Sequence, residues 1–201
     1  MLDEILYLTP DSDKGHRKTP EPAVKIPISD PPIMIPGIAP DGSLYPIEKI
    51  KAHLEGKHHL ALSVFVFDGD ELLIQQRALG KYHCGGQWAN TCCTHPKIDE
   101  DPKSAASRRL MEELGFTVEI EEKRIVEYSA DVGNGLWEHE RVHMFRADVS
   151  KNDLEICPNP EEVLATCWIK PEDLRQDLQN NPDKYTPWFH IYISRFPEFE
   201  F

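Results

Sequence analysis

Trp88-Ala89-Asn90-Thr91-Cys92-Cys93-Thr94-His95-Pro96 leads through a short loop into a helix ending Arg108-Arg109-Leu110-Met111-Glu112-Glu113-Leu114-Gly115. The first stretch sets a thiol beside an imidazole. In the second, Pro102 marks the first turn, Ala105, Ala106, Leu110 and Leu114 share an apolar face, and Gly115 ends the helix. Arg108 and Glu112 stand four apart, as do Arg109 and Glu113, so each pair lies on one face. A solvated ion pair accounts for either pair alone, at a few tenths of a kcal/mol. An acid/base or nucleophilic thiol, a metal-ligating imidazole and carboxylates able to hold a second metal, all in one segment, point to chemistry rather than packing.

Leu60–Phe67 reads as a buried strand that turns at Asp68-Gly69-Asp70 and returns as Leu72–Arg77. Further strands are expected at 116–120, 123–130, 137–148 and 163–168. Pro171 starts a short helix to about Leu178. Thr186, as N-cap, and Pro187 start a last one through Ile193. Hairpins feeding one strong helix, then more strands and helices, make an α+β sandwich. Upstream, nine of the 17 prolines fall within the first 46 residues, and proline supplies no backbone donor. Residues 1–36 are therefore expected to form an extended arm lying over a domain spanning 37–201.

A net charge of −13 excludes a broad nucleic-acid or anionic-membrane surface. The chain holds no apolar run long enough to span a bilayer, and its acidic beginning does not resemble a secretory signal. Five cysteines, two of them adjacent, argue against a disulfide framework and for a reducing cytoplasm. Cys157 and Cys167 are expected to be inert core residues.

The helical segment resembles the Nudix box, G-x5-E-x7-R-E-U-x-E-E-x-G, where U is aliphatic. Glu100, Arg108, Leu110, Glu112, Glu113 and Gly115 match it. Thr94 replaces its first glycine and Arg109 its second glutamate. A guanidinium in place of a metal-gathering carboxylate weakens hydrolysis and offers a diphosphate a partner instead. Both departures, with Trp88–Pro96, resemble the type 1 isopentenyl-diphosphate isomerases, Nudix-fold enzymes that hydrolyse nothing. Lys49 and His53, His59-Leu60-Ala61-Leu62-Ser63, Arg77-Ala78-Leu79-Gly80-Lys81, Tyr128, Trp137-Glu138-His139-Glu140 and Tyr185-Thr186-Pro187-Trp188 carry the same likeness from about Ile38 to Ile193. It implies a Nudix-type α/β/α sandwich with a mixed sheet. The implied reaction interconverts isopentenyl and dimethylallyl diphosphate for isoprenoid biosynthesis.

The residues themselves suit that reaction. Glu138 and Glu140 alternate on a strand and share a face. With His53, His59 and His95 they make a set suited to Mn2+, Zn2+ or Mg2+, with His58 competing for the place of His59. His139 points to the opposite face, and His58, His83 and His143 otherwise read as structural or supporting. Moving a double bond through a tertiary carbocation needs an acid, a base and an electron-rich face. Cys93, expected as a thiolate near a metal and arginines, is one acid/base group. Glu140, bonded to Tyr128, is the other, and Trp188 offers its ring to the cation. The resemblance assigns the same roles. It implies that Lys49, Arg77, Lys81 and Arg109 bind the diphosphate, and that Glu113 and the Cys93 carbonyl hold a bridging Mg2+. Arg108 is left to support the box loop. Two other functions compete: a Nudix hydrolase of nucleoside or prenyl diphosphates, and an inactive Nudix module that only binds. The oligomeric state is left open.

Overall fold

The strand expected at 60–67 runs His59–Asp68 and is the axis of the molecule, a computed structural model that describes residues 31–197 and Phe199. Most of the expected arm, residues 1–30, lies outside the described residues. In chain order the elements are β1 (Met34–Ile38), β2 (Leu44–Glu48), α1 (Lys49–Leu54), β3 (His59–Asp68), β4 (Glu71–Arg77), β5 (Trp88–Ala89), β6 (Cys92–Thr94) and α2 (Pro102–Leu114). Then follow β7 (Glu121–Asp131), β8 (Trp137–Asp148), β9 (Val163–Ile169), α3 (Pro171–Asn180) and α4 (Pro187–Arg195).

The sheet is mixed. β3 pairs in parallel with β8 from His59↔Glu140 to Phe67↔Asp148. Its other ladders, with β1, β4 and β6, are antiparallel. Alternation along β3 sends Leu62, Val64 and Val66 to one face, where Ala105, Ala106, Leu110 and Leu114 of α2 cover them. Ala61, Phe65 and Phe67 go to the other face, under Leu174 and Leu178 of α3 and Phe189 and Tyr192 of α4. This is the expected α/β/α sandwich. No helix among the described residues is long and apolar enough to cross a membrane.

Helix α2 has the expected bounds, and its ends show why. The Asp101 carboxylate accepts from the Ser104 amide at 2.9 Å, capping the first turn behind Pro102. Gly115 closes it at φ 78, where a Cβ would come 2.7 Å from the Cys157 carbonyl.

Elsewhere the structure corrects the reading. β1 runs across the arm boundary expected at residue 36, and Pro36 stands opposite Pro46 of β2. Neither has an N–H, so the pairing strands no donor there. Residues 116–120 form no ladder. Phe116 and Ile120 are buried against α2, so their apolar pattern reflects packing without pairing. Cys157 and Cys167 are exposed, not core; β9, which carries Cys167, pairs with β4 alone among the described residues. Thr186 has the extended backbone of an N-cap, but its hydroxyl caps nothing and is buried without a partner.

Candidate active site

Helix α1 and the start of β3 bring two imidazoles together, each oriented by its own backbone. His53 Nδ1 lies 2.6 Å from the Lys49 carbonyl and His59 Nδ1 lies 2.7 Å from the Lys57 carbonyl. A carbonyl only accepts, so both Nδ1 atoms carry hydrogen and both Nε2 atoms face inward. His95, just beyond β6, completes the group: its Nε2 is 3.2 Å from His59 Nε2 and 3.0 Å from Glu140 Oε1. His58 faces away. It stacks on His139 at 4.6 Å, and His139 meets the Gly56 carbonyl.

Parallel register sets Glu140 beside His59, and strand alternation puts Glu138 on the same face. Glu138 Oε2 is 3.0 Å from His53 Nε2 and 3.6 Å from His59 Nε2. Tyr128, opposite Glu140 in β7, donates its hydroxyl to Glu140 Oε2. Side-chain exposure is 0% for His53 and His59 and 4% for Glu138. Burial, and for Glu140 also the adjacent Glu138, pushes these carboxyls up; the imidazoles outweigh this and hold both below the usual carboxylate range. Burial drives His95 down to about 3 against the pull of Glu140. His59 goes the other way, to about 10, because Glu138 and Glu140 overcome its burial.

One ligand atom from each of His53, His59, His95 and Glu138 lies within 4.8 Å of the others. Glu138 Oε2 is buried and lacks a hydrogen-bond partner. Convergent imidazole nitrogens around a buried carboxylate oxygen fit a divalent cation, which binds in place of any Nε2 proton.

Beyond this cluster, Lys49, Arg77, Lys81, Cys93, His95, Arg109, Tyr128, Glu138, Glu140 and Trp188 line one pocket. Burial, followed by repulsion from Lys81 and Arg77, lowers Lys49 to about 8. The Arg77 guanidinium sits 5.2 Å from the Trp188 ring centre. Arg109 reaches Glu113 at 3.1 Å through Nε, Glu112 at 2.9 Å, and Glu162 at 3.0 Å. Glu162 also takes Lys81. Glu113 is buried, its carboxylate held by Arg109 and by the Gln75 amide. Arg108 clasps Glu100 through two hydrogen bonds of 2.7 and 2.8 Å and so holds the loop before α2.

The expected Cys93 thiolate is a correction. Burial pushes the thiol up to about 12, and the Ser63 hydrogen bond and Arg77 only partly oppose this. Cys93 is a thiol that donates to Asn90 Oδ1 at 2.8 Å. The Asn90 amide in turn donates to the carbonyls of Val64 and Cys92, which aims its oxygen at the thiol.

Sequence reading passed over Asn90, Ser63, Tyr82, Glu162 and Tyr192, and left His83 as structural or supporting. The Tyr82 hydroxyl is 3.3 Å from His53 Nε2, and Ser63 Oγ lies 3.0 Å from the Tyr192 hydroxyl and 3.5 Å from Cys93 Sγ. The polar run Lys81-Tyr82-His83-Cys84, where the resembled family is more apolar, was the one available signal for Tyr82 and His83.

Comparison with known proteins follows the same outline. The NUDIX domain family matches residues 57–189. An isopentenyl-diphosphate Delta-isomerase of Cereibacter sphaeroides is 50% identical over 160 residues, 79% of this chain and 89% of its own. One from Dinoroseobacter shibae is 51% identical over 159 residues, 79% and 90% of the two chains. Among solved structures, a MutT protein from Methanosarcina mazei aligns with TM-score 0.55 and 16% identity over 69% of this chain and 92% of its own. A Deinococcus radiodurans protein aligns with TM-score 0.60 and 14% identity over 81% and 98%. At such identities the likeness concerns the fold alone.

Proposed function

This chain belongs to the isopentenyl-diphosphate Delta-isomerase family of NUDIX-domain proteins, and from that premise we infer that it interconverts isopentenyl and dimethylallyl diphosphate. The observation that carries the reading is the pocket in which Cys93, Glu140, Tyr128 and Trp188 meet four cationic side chains. One proton is added at the terminal methylene carbon and one is removed from the carbon nearer the diphosphate. Between the two, the charge sits on a tertiary carbon. A thiol at Cys93 and an ionised Glu140 give the site a proton donor and a proton acceptor before substrate enters. Their parts exchange in the reverse direction. Tyr128 holds the Glu140 carboxylate, and the Trp188 ring faces the transient cation. Burial keeps water, which would trap that cation, out of the pocket.

Lys49, Arg77, Lys81 and Arg109 bind the diphosphate, which explains how a protein of net charge −13 recognises an anion. His53, His59, His95, Glu138 and Glu140 would hold one divalent ion, Mn2+, Zn2+ or Mg2+. Glu113 and the Cys93 carbonyl would hold a Mg2+, which would supply positive charge to the diphosphate. A cation at the first position would offset the charge of the paired carboxylates and steady Glu140. Five free thiols suit a reducing compartment such as the cytoplasm.

Isopentenyl diphosphate incubated with the protein and Mg2+ in D2O tests the reading by NMR. Deuterium entering a methyl group of dimethylallyl diphosphate is the expected result. Release of inorganic phosphate or diphosphate without isomerisation would overturn it in favour of hydrolysis.

A further inference from the structure

We propose that His83 is a positioning residue for Glu138, holding one carboxylate oxygen so that the other stays turned to the imidazoles; this rests on the metal reading given above. The two oxygens of Glu138 have different surroundings. Oε2 faces His53 and His59 at 3.0 and 3.6 Å. Oε1 turns away and meets His83 Nε2 at 3.1 Å. A carboxylate only accepts, so Nε2 of His83 carries the hydrogen. Side-chain exposures of 3% and 4% leave no water to replace that bond.

The ring is held from several sides. It stacks on His53 at 5.6 Å with planes 29° apart, and stands edge-on to Tyr82 at 4.3 Å and to Trp188 at 5.7 Å. The His83 carbonyl accepts from Arg77 at 3.2 Å, so the same residue also steadies a diphosphate-binding cation. The loop turns here at Cys84, with φ 52, and closes with the Gly86 amide donating to the Arg77 carbonyl.

His83 stands outside the ligand group itself, whose atoms come from His53, His59, His95 and Glu138. Its part is to keep Glu138 single-toothed. Without it, the carboxylate is free to rotate and offer both oxygens, which changes the coordination number available to an ion. Loss of an outer hydrogen bond to a metal ligand typically lowers metal affinity about 10–100-fold.

The test measures Zn2+ and Mn2+ affinity by competition with a chromogenic chelator, and the visible absorption of the Co2+ form. It compares the full-length wild type, His83→Ala and His83→Gln, with metal-free thermal unfolding of each as a check on folding. His83→Ala is expected to bind metal about 10–100-fold more weakly and to shift the Co2+ spectrum. His83→Gln, which keeps an N–H donor, is expected to recover most of both. Unchanged affinity and spectrum in a folded His83→Ala overturn the positioning role, as does a His83→Gln variant no better than the alanine. A wild type that binds no metal overturns it outright. A wild type that binds metal but does not isomerise refutes the functional reading, while the affinity series still decides this one.

Discussion

Two groups of opposed charges flank the pocket, and they differ in what their atoms are left to do. On α2, Arg108 is matched by Glu100 and Glu112, and Arg109 by Glu112, Glu113 and Glu162. Glu112 is 42% exposed. Around the start of β3, imidazoles and carboxylates are almost fully buried, and their inward atoms outnumber the hydrogens available to join them. Saturated, partly wet ion pairs hold a loop and a helix in place. Buried lone pairs without partners cost energy unless a cation or substrate completes them. The contrast separates Arg108, which serves the scaffold, from the buried cluster, with Arg109 and Glu113 belonging to the helix network and to the pocket side alike.

Breaking the inner group has the largest expected effect. Cys93→Ala and Glu140→Gln should each lower kcat by about 10³-fold or more, read by isomerisation assays; a Cys93→Ser enzyme within tenfold of wild type would sink the acid/base role of the thiol. Next, removing metal with a chelator should abolish turnover and lower the Tm, and Zn2+ or Mn2+ should restore both. Unchanged unfolding with and without metal counts against a bound ion. At the boundary of the two groups, Arg109→Lys keeps the charge but loses the fork that serves three carboxylates. KM for the diphosphate should rise about tenfold with a smaller change in kcat, and an effect on kcat alone would move Arg109 out of substrate binding.

The smallest effect belongs to the outer group. Arg108→Ala should cost about 1 kcal/mol of stability and leave activity within a few-fold, as read by denaturant unfolding and turnover. Its pH dependence sharpens the point. Hydrogen bonds from Arg108 lower Glu100 despite its burial, and those from Arg108 and Arg109 lower Glu112 despite its burial. A depressed carboxyl stabilises the folded state above its ordinary range near 4.5, and that contribution is lost as pH falls through the lowered value. Arg108→Ala should therefore differ from wild type above about pH 4.5 and converge with it on acidification; a constant difference contradicts the linkage.

Elements set by neighbours in the chain were the easiest to read. Helix α2 has both its stop signals within its own sequence, Asp101-Pro102 and Gly115. The β3–β4 hairpin turns at Asp68-Gly69-Asp70 as its residues require. Strands β1 and β2 were passed over because prolines argue against pairing, and only the facing of Pro36 with Pro46 removes that objection. Residues 116–120 failed in the opposite sense, being apolar and buried yet without a ladder. Among site residues, the chain brings together the set picked out by spacing and resemblance. The competition between His58 and His59 could not be decided by spacing; it turns on which ring finds the Lys57 carbonyl.

The sequence by itself determined the sandwich, the box helix and the roster of thiol, imidazoles, carboxylates and cations, because these depend on periodicity and residue type. Tertiary structure alone decided their states. Burial among Ser63, Asn90 and Tyr192 keeps Cys93 a thiol where its arginine neighbours suggested a thiolate. Parallel pairing of β3 with β8 puts His59 beside Glu140, and the turn after Arg77 brings His83 to Glu138. Protonation and orientation depend on desolvation and on partners far along the chain, and neither exists until the chain has folded.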